Sequence, residues 1–282
     1  MRMEDIGFII VGAAKSATTW LQQSLQQHSD IYMPDPELHY FSRNYDQGET
    51  WYLSHFDNAD ARPVIGEKSN SYMDTPDAAT RIHRDLPNVQ LIAQLRNPVE
   101  RAYSDYCMLY RRGEVGKEID EYLDPRTAQE GRFLKGGLYY DQLRGFLDLF
   151  PAERLLVLFF ESIKTEPQRQ LDLVQTFLKL DAGLHIPPLT EKVKDKTQPV
   201  LSPGLRKALA PLKSTVRPFR QSALFRNMRS LVARETRYAP LTDDLRMRLI
   251  DYYSPQVERL GSIVRRDLSA WLHDVAPPRL DG

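Results

Sequence analysis

The chain of 282 residues can form one large domain with a sizeable core, and its 38 lysines plus arginines balance 38 aspartates plus glutamates. No overall field therefore draws it to nucleic acid, and anion recognition has to be local. The single cysteine, Cys107, excludes an internal disulfide framework, and the six histidines include no pair at helical metal-ligand spacing, which excludes a structural zinc site.

In chain order, the apolar run Phe8 to Val11 reads as a buried parallel strand. It follows Glu4 and Asp5 and is too short for a signal-peptide core, and no later stretch approaches the length of a membrane span, so a cytoplasmic chain is expected. The strand runs into Gly12-Ala13-Ala14-Lys15-Ser16-Ala17-Thr18-Thr19-Trp20-Leu21, a tight loop opening a helix over Thr18 to Gln27. Residues 43 to 60 carry Tyr45, Trp51, Tyr52 and Phe56, either an aromatic platform for sugar rings or plain packing. Pro63 to Gly66 is a further candidate strand, followed by Glu67-Lys68-Ser69. Then come a helix over Asp77 to Leu86, a strand over Gln90 to Leu95 and a helix over Pro98 to Arg111.

Gly113 to Lys135 is charged and low in apolar residues and is expected to be a mobile acceptor-side loop. Beyond it lie a helix over Leu138 to Phe150, a strand over Leu155 to Phe160 and a helix over Pro167 to Leu178. This alternation predicts a doubly wound α/β fold. In such sheets ligands sit beyond the carboxyl ends of the strands, so the loops at Gly12, Glu67 and Arg96 are expected to face one crevice. From Pro199 the pattern changes. The region 206–237 is rich in arginine and lysine, with Glu235 its only acid, and Leu241 to Leu272 reads as helices. The basic region is either a solvated helical face or a contact for an anionic or membrane-surface substrate.

Backbone N–H groups at a strand-loop-helix junction converge where a phosphate can sit. Here the lysine follows Gly12 by three residues, with paired threonines three and four residues later; a nucleoside-triphosphate loop has its lysine directly after a Gly near the loop's end and immediately before a Ser or Thr. The threonines could equally cap the helix. Arg96 ends a strand, and Ser104 lies about two helical turns on, so the pair can clamp a second phosphate. Its bland alternative is an ion pair between Arg96 and Glu100. Two phosphate sites on adjacent strands imply a nucleotide phosphorylated at two positions.

These motifs resemble the sulfotransferases that use 3′-phosphoadenosine 5′-phosphosulfate (PAPS), and are most similar to the heparan-sulfate sulfotransferase type and its bacterial relatives. In that family a loop GxxKxGTTxL holds the 5′-phosphosulfate, and an Arg followed eight residues later by a Ser holds the 3′-phosphate. Gly12, Lys15, Thr18, Thr19 and Leu21 match the first, and Arg96 with Ser104 the second. The likeness continues through Glu37-Leu38-His39-Tyr40-Phe41, Glu67-Lys68-Ser69, Gly137-Leu138-Tyr139 and Phe177-Leu178, with a weaker echo at Asp267-Leu268-Ser269-Ala270-Trp271. Ala17 stands where the family usually has Gly, so the loop turns there without a positive φ or accepts strain. Pro36 stands where relatives often carry Lys.

The resemblance implies a single sulfotransferase domain over residues 1–282: a P-loop-like parallel sheet flanked by helices as a nucleotide-binding core over 6–180, and a mainly helical extension over 199–275. It implies transfer of a sulfuryl group from PAPS, leaving 3′-phosphoadenosine 5′-phosphate (PAP), to a carbohydrate or glycoconjugate hydroxyl or amine, without a metal. Lys15, Ser16, Ala17, Thr18, Thr19, Arg96 and Ser104 would hold the nucleotide. Glu37 takes the position of the catalytic base, with Lys15 at the leaving group. Lys68 can contact acceptor or sulfonate, while Glu67 beside it can form a plain ion pair. His39 would project beside Glu37 if the segment is extended, as a catalytic aid or as a structural histidine among Tyr40 and Phe41. A P-loop nucleotide kinase, or a non-catalytic module holding PAP or an anionic glycan, stands as the alternative.

Overall fold

A computed structural model describes residues 1–59, 62–180 and 238–273. Within them, β1 (Phe8–Gly12), β2 (Ile31–Tyr32), β3 (Val64–Lys68), β4 (Gln90–Leu95) and β5 (Leu155–Phe159) form one sheet in the order β2-β3-β1-β4-β5. Every pairing is parallel, so all five carboxyl ends lie along one edge. The helices that connect and flank the strands are α1 (Thr18–Leu25), α2 (Gly48–Ser54), α3 (Ala78–Asp85), α4 (Pro98–Arg112), α5 (Asp120–Leu123), α6 (Arg132–Lys135), α7 (Tyr139–Leu147), α8 (Phe160–Thr165), α9 (Pro167–Phe177) and α10 (Asp243–Val264).

Side chains alternate across β1 and divide the core into two layers. Phe8 and Ile10 join Ile92 and Leu158 beneath Trp20 and Leu25 of α1 and Leu171 and Val174 of α9. Ile9 and Val11 join Leu91, Ala93 and Leu95 against Ile82, Ala102, Leu143 and Tyr253 from α3, α4, α7 and α10. Helices therefore cover both faces, the condition under which all-parallel strands are stable and read as unbroken apolar runs. The candidate strand at Pro63 to Gly66 begins at Val64 and runs on to Lys68, carrying Glu67 and Lys68 into the sheet.

The segment from Gly113 to Lys135 differs from its expectation as a mobile loop. It forms α5 and α6 and buries Ile119, Leu123, Phe133 and Leu134. Buried Arg101 donates to the Phe133 carbonyl, and the Tyr106 hydroxyl donates to the Gly116 carbonyl at 3.1 Å. The aromatic face of α4 anchors the segment, with Tyr122 and Phe133 packed on Tyr106. Residues 43 to 59 likewise pack: Tyr52 and Phe56 are buried, and Tyr52 stacks on Tyr40 with centroids 4.5 Å apart. The basic region 206–237 lies outside the described residues, as does the part of the helical extension before Tyr238. Among the described residues no helix is long and apolar enough to cross a membrane.

Candidate active site

β1 ends at Gly12, whose φ of +155° and close approach to Met73 leave no room for a side chain: a Cβ would sit 2.8 Å from Met73 Cβ. The loop then turns through two left-handed residues, Lys15 at φ +71° and Ala17 at φ +64°. Ala17 accepts the strain that a glycine would avoid. It is also the N-cap of α1 and makes no side-chain cap, so the Thr18 and Thr19 N–H groups point out of the open end, while the Trp20 N–H closes the turn on the Ala17 carbonyl at 2.9 Å. Thr18 and Thr19 lie inside the first turn and do not cap it. β4 braces the loop: Ala13 N–H donates to the Gln94 carbonyl at 2.8 Å, Gln94 Nε2 to the Ser16 carbonyl at 2.6 Å, and Arg96 Nη1 to the Lys15 carbonyl at 3.2 Å. Ser16 is fully buried beneath the loop, and Lys15 Nζ lies 3.4 Å from Met108 Sδ.

Arg96 leaves the end of β4 directly beside this loop. Asn97 caps α4, its Oδ1 accepting from Val99 and Glu100 N–H at 3.0 and 3.3 Å, and Pro98 fills the first helical position. Ser104 is buried on the same helix. The Arg96 guanidinium lies 4.5 Å from the Phe160 ring centroid; burial lowers its pKa, opposed by Glu100 and Glu161. Its ion pair with Glu100 is long, 3.9 Å, because the other Glu100 oxygen takes Arg246 of α10 at 2.8 Å. Beside Arg96, a cavity of about 480 Å³ opens between Asn97, Phe160, Glu161, Arg246 and Trp271.

Across β1 from Arg96 stands a cluster of charges. Lys68 Nζ donates to Glu37 Oε1 at 2.6 Å and lies 3.5 Å from Thr19 Oγ1. Asn70 donates to both carboxylate oxygens, from Nδ2 to Oε1 and from its backbone N–H to Oε2, each at 3.2 Å. His39 Nε2 is 3.6 Å from Glu37 Oε2. The segment is not extended at this point, since His39 has φ +50°, and it is this reversal that turns the two side chains toward each other around buried Leu38. Burial lowers the His39 pKa from 6.5, with Glu37 opposing and Arg43 and Lys68 reinforcing the shift, so the ring is neutral at pH 7. Ser71 Oγ lies 2.7 Å from His39 Nδ1. Ser71 Oγ is also 2.7 Å from Ser42 Oγ, which donates to the His39 carbonyl at 3.2 Å, so a chain of hydroxyls backs the ring on the side away from Glu37.

Glu67 makes no ion pair with Lys68. The two point to opposite faces of β3, paired in register with Ile9 and Ile10 respectively. Glu67 is fully buried and accepts from Tyr72, Ser69 and Tyr52 hydroxyls at 2.6, 2.7 and 3.2 Å. Burial pushes its carboxyl up to about 7 against the pull of these donors. The same burial, with Glu67 itself, raises the Tyr52 and Tyr72 phenols, which stay protonated.

Sequence reasoning brought the loops at Gly12 to Thr19, Glu67 to Ser69 and Arg96 to Pro98 to one edge, and the strand order places those three loops side by side; Glu37 and His39 entered only through the family resemblance. It named Ser69 only as part of Glu67-Lys68-Ser69 and missed Asn70 and Ser71, whose only signal was the polar string Ser69-Asn70-Ser71 directly after an apolar strand.

Comparison with known proteins bears on this arrangement. Residues 5–202 match the family model for the sulfotransferase domain. Heparan sulfate glucosamine 3-O-sulfotransferase 3B1 of Homo sapiens is 32% identical over 177 residues, covering 61% of this chain and 45% of that protein. Heparan sulfate glucosamine 3-O-sulfotransferase 6 of Mus musculus is 33% identical over 179 residues, covering 61% and 52%. The matched stretch thus spans about half the length of these relatives. A solved sulfotransferase from Alicyclobacillus acidocaldarius superposes with a TM-score of 0.71 at 26% identity, covering 95% of this chain and 99% of that one. A parallel five-stranded sheet flanked by helices, a strand-loop-helix junction at its centre, and a family match over well more than half its length lead to one conclusion: the chain belongs to the sulfotransferase domain family.

Proposed function

We propose that the chain transfers the sulfuryl group of PAPS to a hydroxyl or amine on a carbohydrate or glycoconjugate. The observation that carries this reading is the Glu37 carboxylate, held by Lys68 at 2.6 Å and by Asn70, on the side of β1 opposite Arg96. The donor set suits a doubly phosphorylated adenosine. The left-handed turns at Lys15 and Ala17 open the start of α1 to one phosphate, and Arg96, hydrogen-bonded to the Lys15 carbonyl, offers a second anion site, with Ser104 buried two turns along the helix that follows. PAPS supplies a sulfuryl group on a phosphate leaving group, which needs charge stabilisation rather than covalent help.

In this reading the amides of Ala17, Thr18 and Thr19, with Ser16 fixing the loop from below, bind the 5′ side. Lys15 neutralises charge on the departing phosphate, while Arg96 and Ser104 hold the 3′-phosphate. Glu37 receives the acceptor proton at Oε2, the oxygen that faces His39, as the new S–O bond forms and the S–O bond to phosphate breaks. Lys68 orients Glu37 from below and reaches toward Thr19, so it links the base to the donor loop. The acceptor class rests on the 3-O-sulfotransferases to which the chain is similar.

The test is turnover of labelled PAPS against a panel of glycan, phenol and amine acceptors. Glu37→Gln is expected to lower kcat about 10³-fold while PAP affinity, read by calorimetry, stays within about twofold. Undiminished turnover in this variant removes Glu37 from the base role. Binding of PAP without turnover on any acceptor favours a non-catalytic module.

A further inference from the structure

The His39 backbone is held in its left-handed turn from both sides. Its carbonyl accepts from Arg43 and Asn44 N–H at 2.8 and 3.1 Å, and its own N–H donates to Ser69 Oγ at 2.8 Å. Ser69 is buried at the end of β3, its N–H on the Ile10 carbonyl of β1 at 3.1 Å, and its hydroxyl proton is committed to Glu67 Oε2 at 2.7 Å. That commitment leaves a lone pair of Ser69 facing the His39 N–H. A non-glycine residue at φ +50° persists only where its surroundings over-determine it. Here the decisive partner comes from a strand, thirty residues away in sequence.

Resting on the function proposed above, we propose that Ser69, anchored on the buried Glu67, is a positioning residue. Its hydroxyl pins the His39 backbone so that His39 and Glu37 face each other across Leu38, and it thereby sets the direction of the base toward the acceptor. The Ser69 hydroxyl meets the His39 N–H on one side and Glu67 on the other, so its effect on the base passes through residue 39, while its loss also takes one donor from buried Glu67. Loss of the hydroxyl strands a half-buried N–H and frees the turn. The base then loses its facing imidazole, while the cradle at Lys15 and the clamp at Arg96 stay as they were. Misplacement of a reacting group by about 1 Å costs on the order of 100-fold in rate.

The experiment uses the full chain with labelled PAPS and the best acceptor of the panel. Ser69→Ala is expected to lower kcat roughly 10- to 100-fold, with PAPS KM and PAP affinity within about twofold of the parent, and Ser69→Thr, which keeps the hydroxyl, to recover kcat to within about threefold. In a His39→Ala background, which keeps the backbone N–H but removes the imidazole, Ser69→Ala is expected to cost less than about twofold more, because the ring it orients toward Glu37 is already gone. If Ser69→Ala does not fold, Ser69→Cys, of similar volume and weak hydrogen bonding, carries the same expectation. Unchanged kcat in the folded variant, equal loss in PAP affinity, or a full additional loss on top of His39→Ala overturns the proposal. Absence of turnover in the parent chain would instead overturn the function on which it rests.

Discussion

Ala17 sits at φ +64° where a glycine would be relaxed, a conformation that costs an alanine on the order of 1–2 kcal/mol. The loop keeps it because β4 holds the neighbouring carbonyls of Lys15 and Ser16 through Arg96 and Gln94. Glu67 is a second residue held against its preference. Its carboxyl titrates near 7 in the fold and at 4.5 as a free side chain. The folded state therefore retains a proton between these values that the unfolded chain has lost. Stability from this group is complete below about 4.5 and is lost as pH rises through 7, by on the order of 3 kcal/mol. Urea melts between pH 5 and pH 8 are expected to show this fall in the parent chain and a flatter profile in Glu67→Gln; parallel profiles would contradict it.

At the scale of elements, α10 acts on α4. Arg246 engages Glu100 at 2.8 Å and keeps that carboxylate at 3.9 Å from Arg96, whose guanidinium stays available to an anion. Arg246→Ala is expected to let Glu100 close on Arg96 and to weaken PAP binding about two- to fivefold, a calorimetric measurement scaled to a partly exposed ion pair. PAP affinity unchanged or improved in that variant would refute the competition.

The elements themselves were unequally legible. β4 was read to the residue and β1 and β5 to within one, because β1 and β4, covered by helices on both faces, and the partly buried edge strand β5 are each a nearly unbroken apolar run. β2 has two residues and α5 and α6 four each, too short to display any period. In the site, the loop and Arg96 were legible as local patterns following strands. The meeting of Glu37 with Lys68 and Asn70 was not, since it joins segments about thirty residues apart through a turn at His39 that composition does not announce.

For the molecule as a whole, ligand binding should add to folding stability. PAP at a hundredfold excess over its Kd adds about 2.7 kcal/mol to unfolding, several degrees in Tm for a chain of this size. AMP, which leaves the Arg96 donors without a 3′-phosphate, is expected to give a clearly smaller shift at equal concentration. A larger shift with ATP and magnesium than with PAP would point instead to a phosphotransferase.

The order β2-β3-β1-β4-β5 has a last consequence. In the proposed function β1 is a watershed: the groups assigned to the nucleotide descend toward β4, and those assigned to the acceptor proton toward β3 and the segment after β2. Under the proposed chemistry, the two slopes can change separately. A lineage could retune which hydroxyl is modified by rewriting residues around Leu38 to Tyr45, while the currency it spends stays the same.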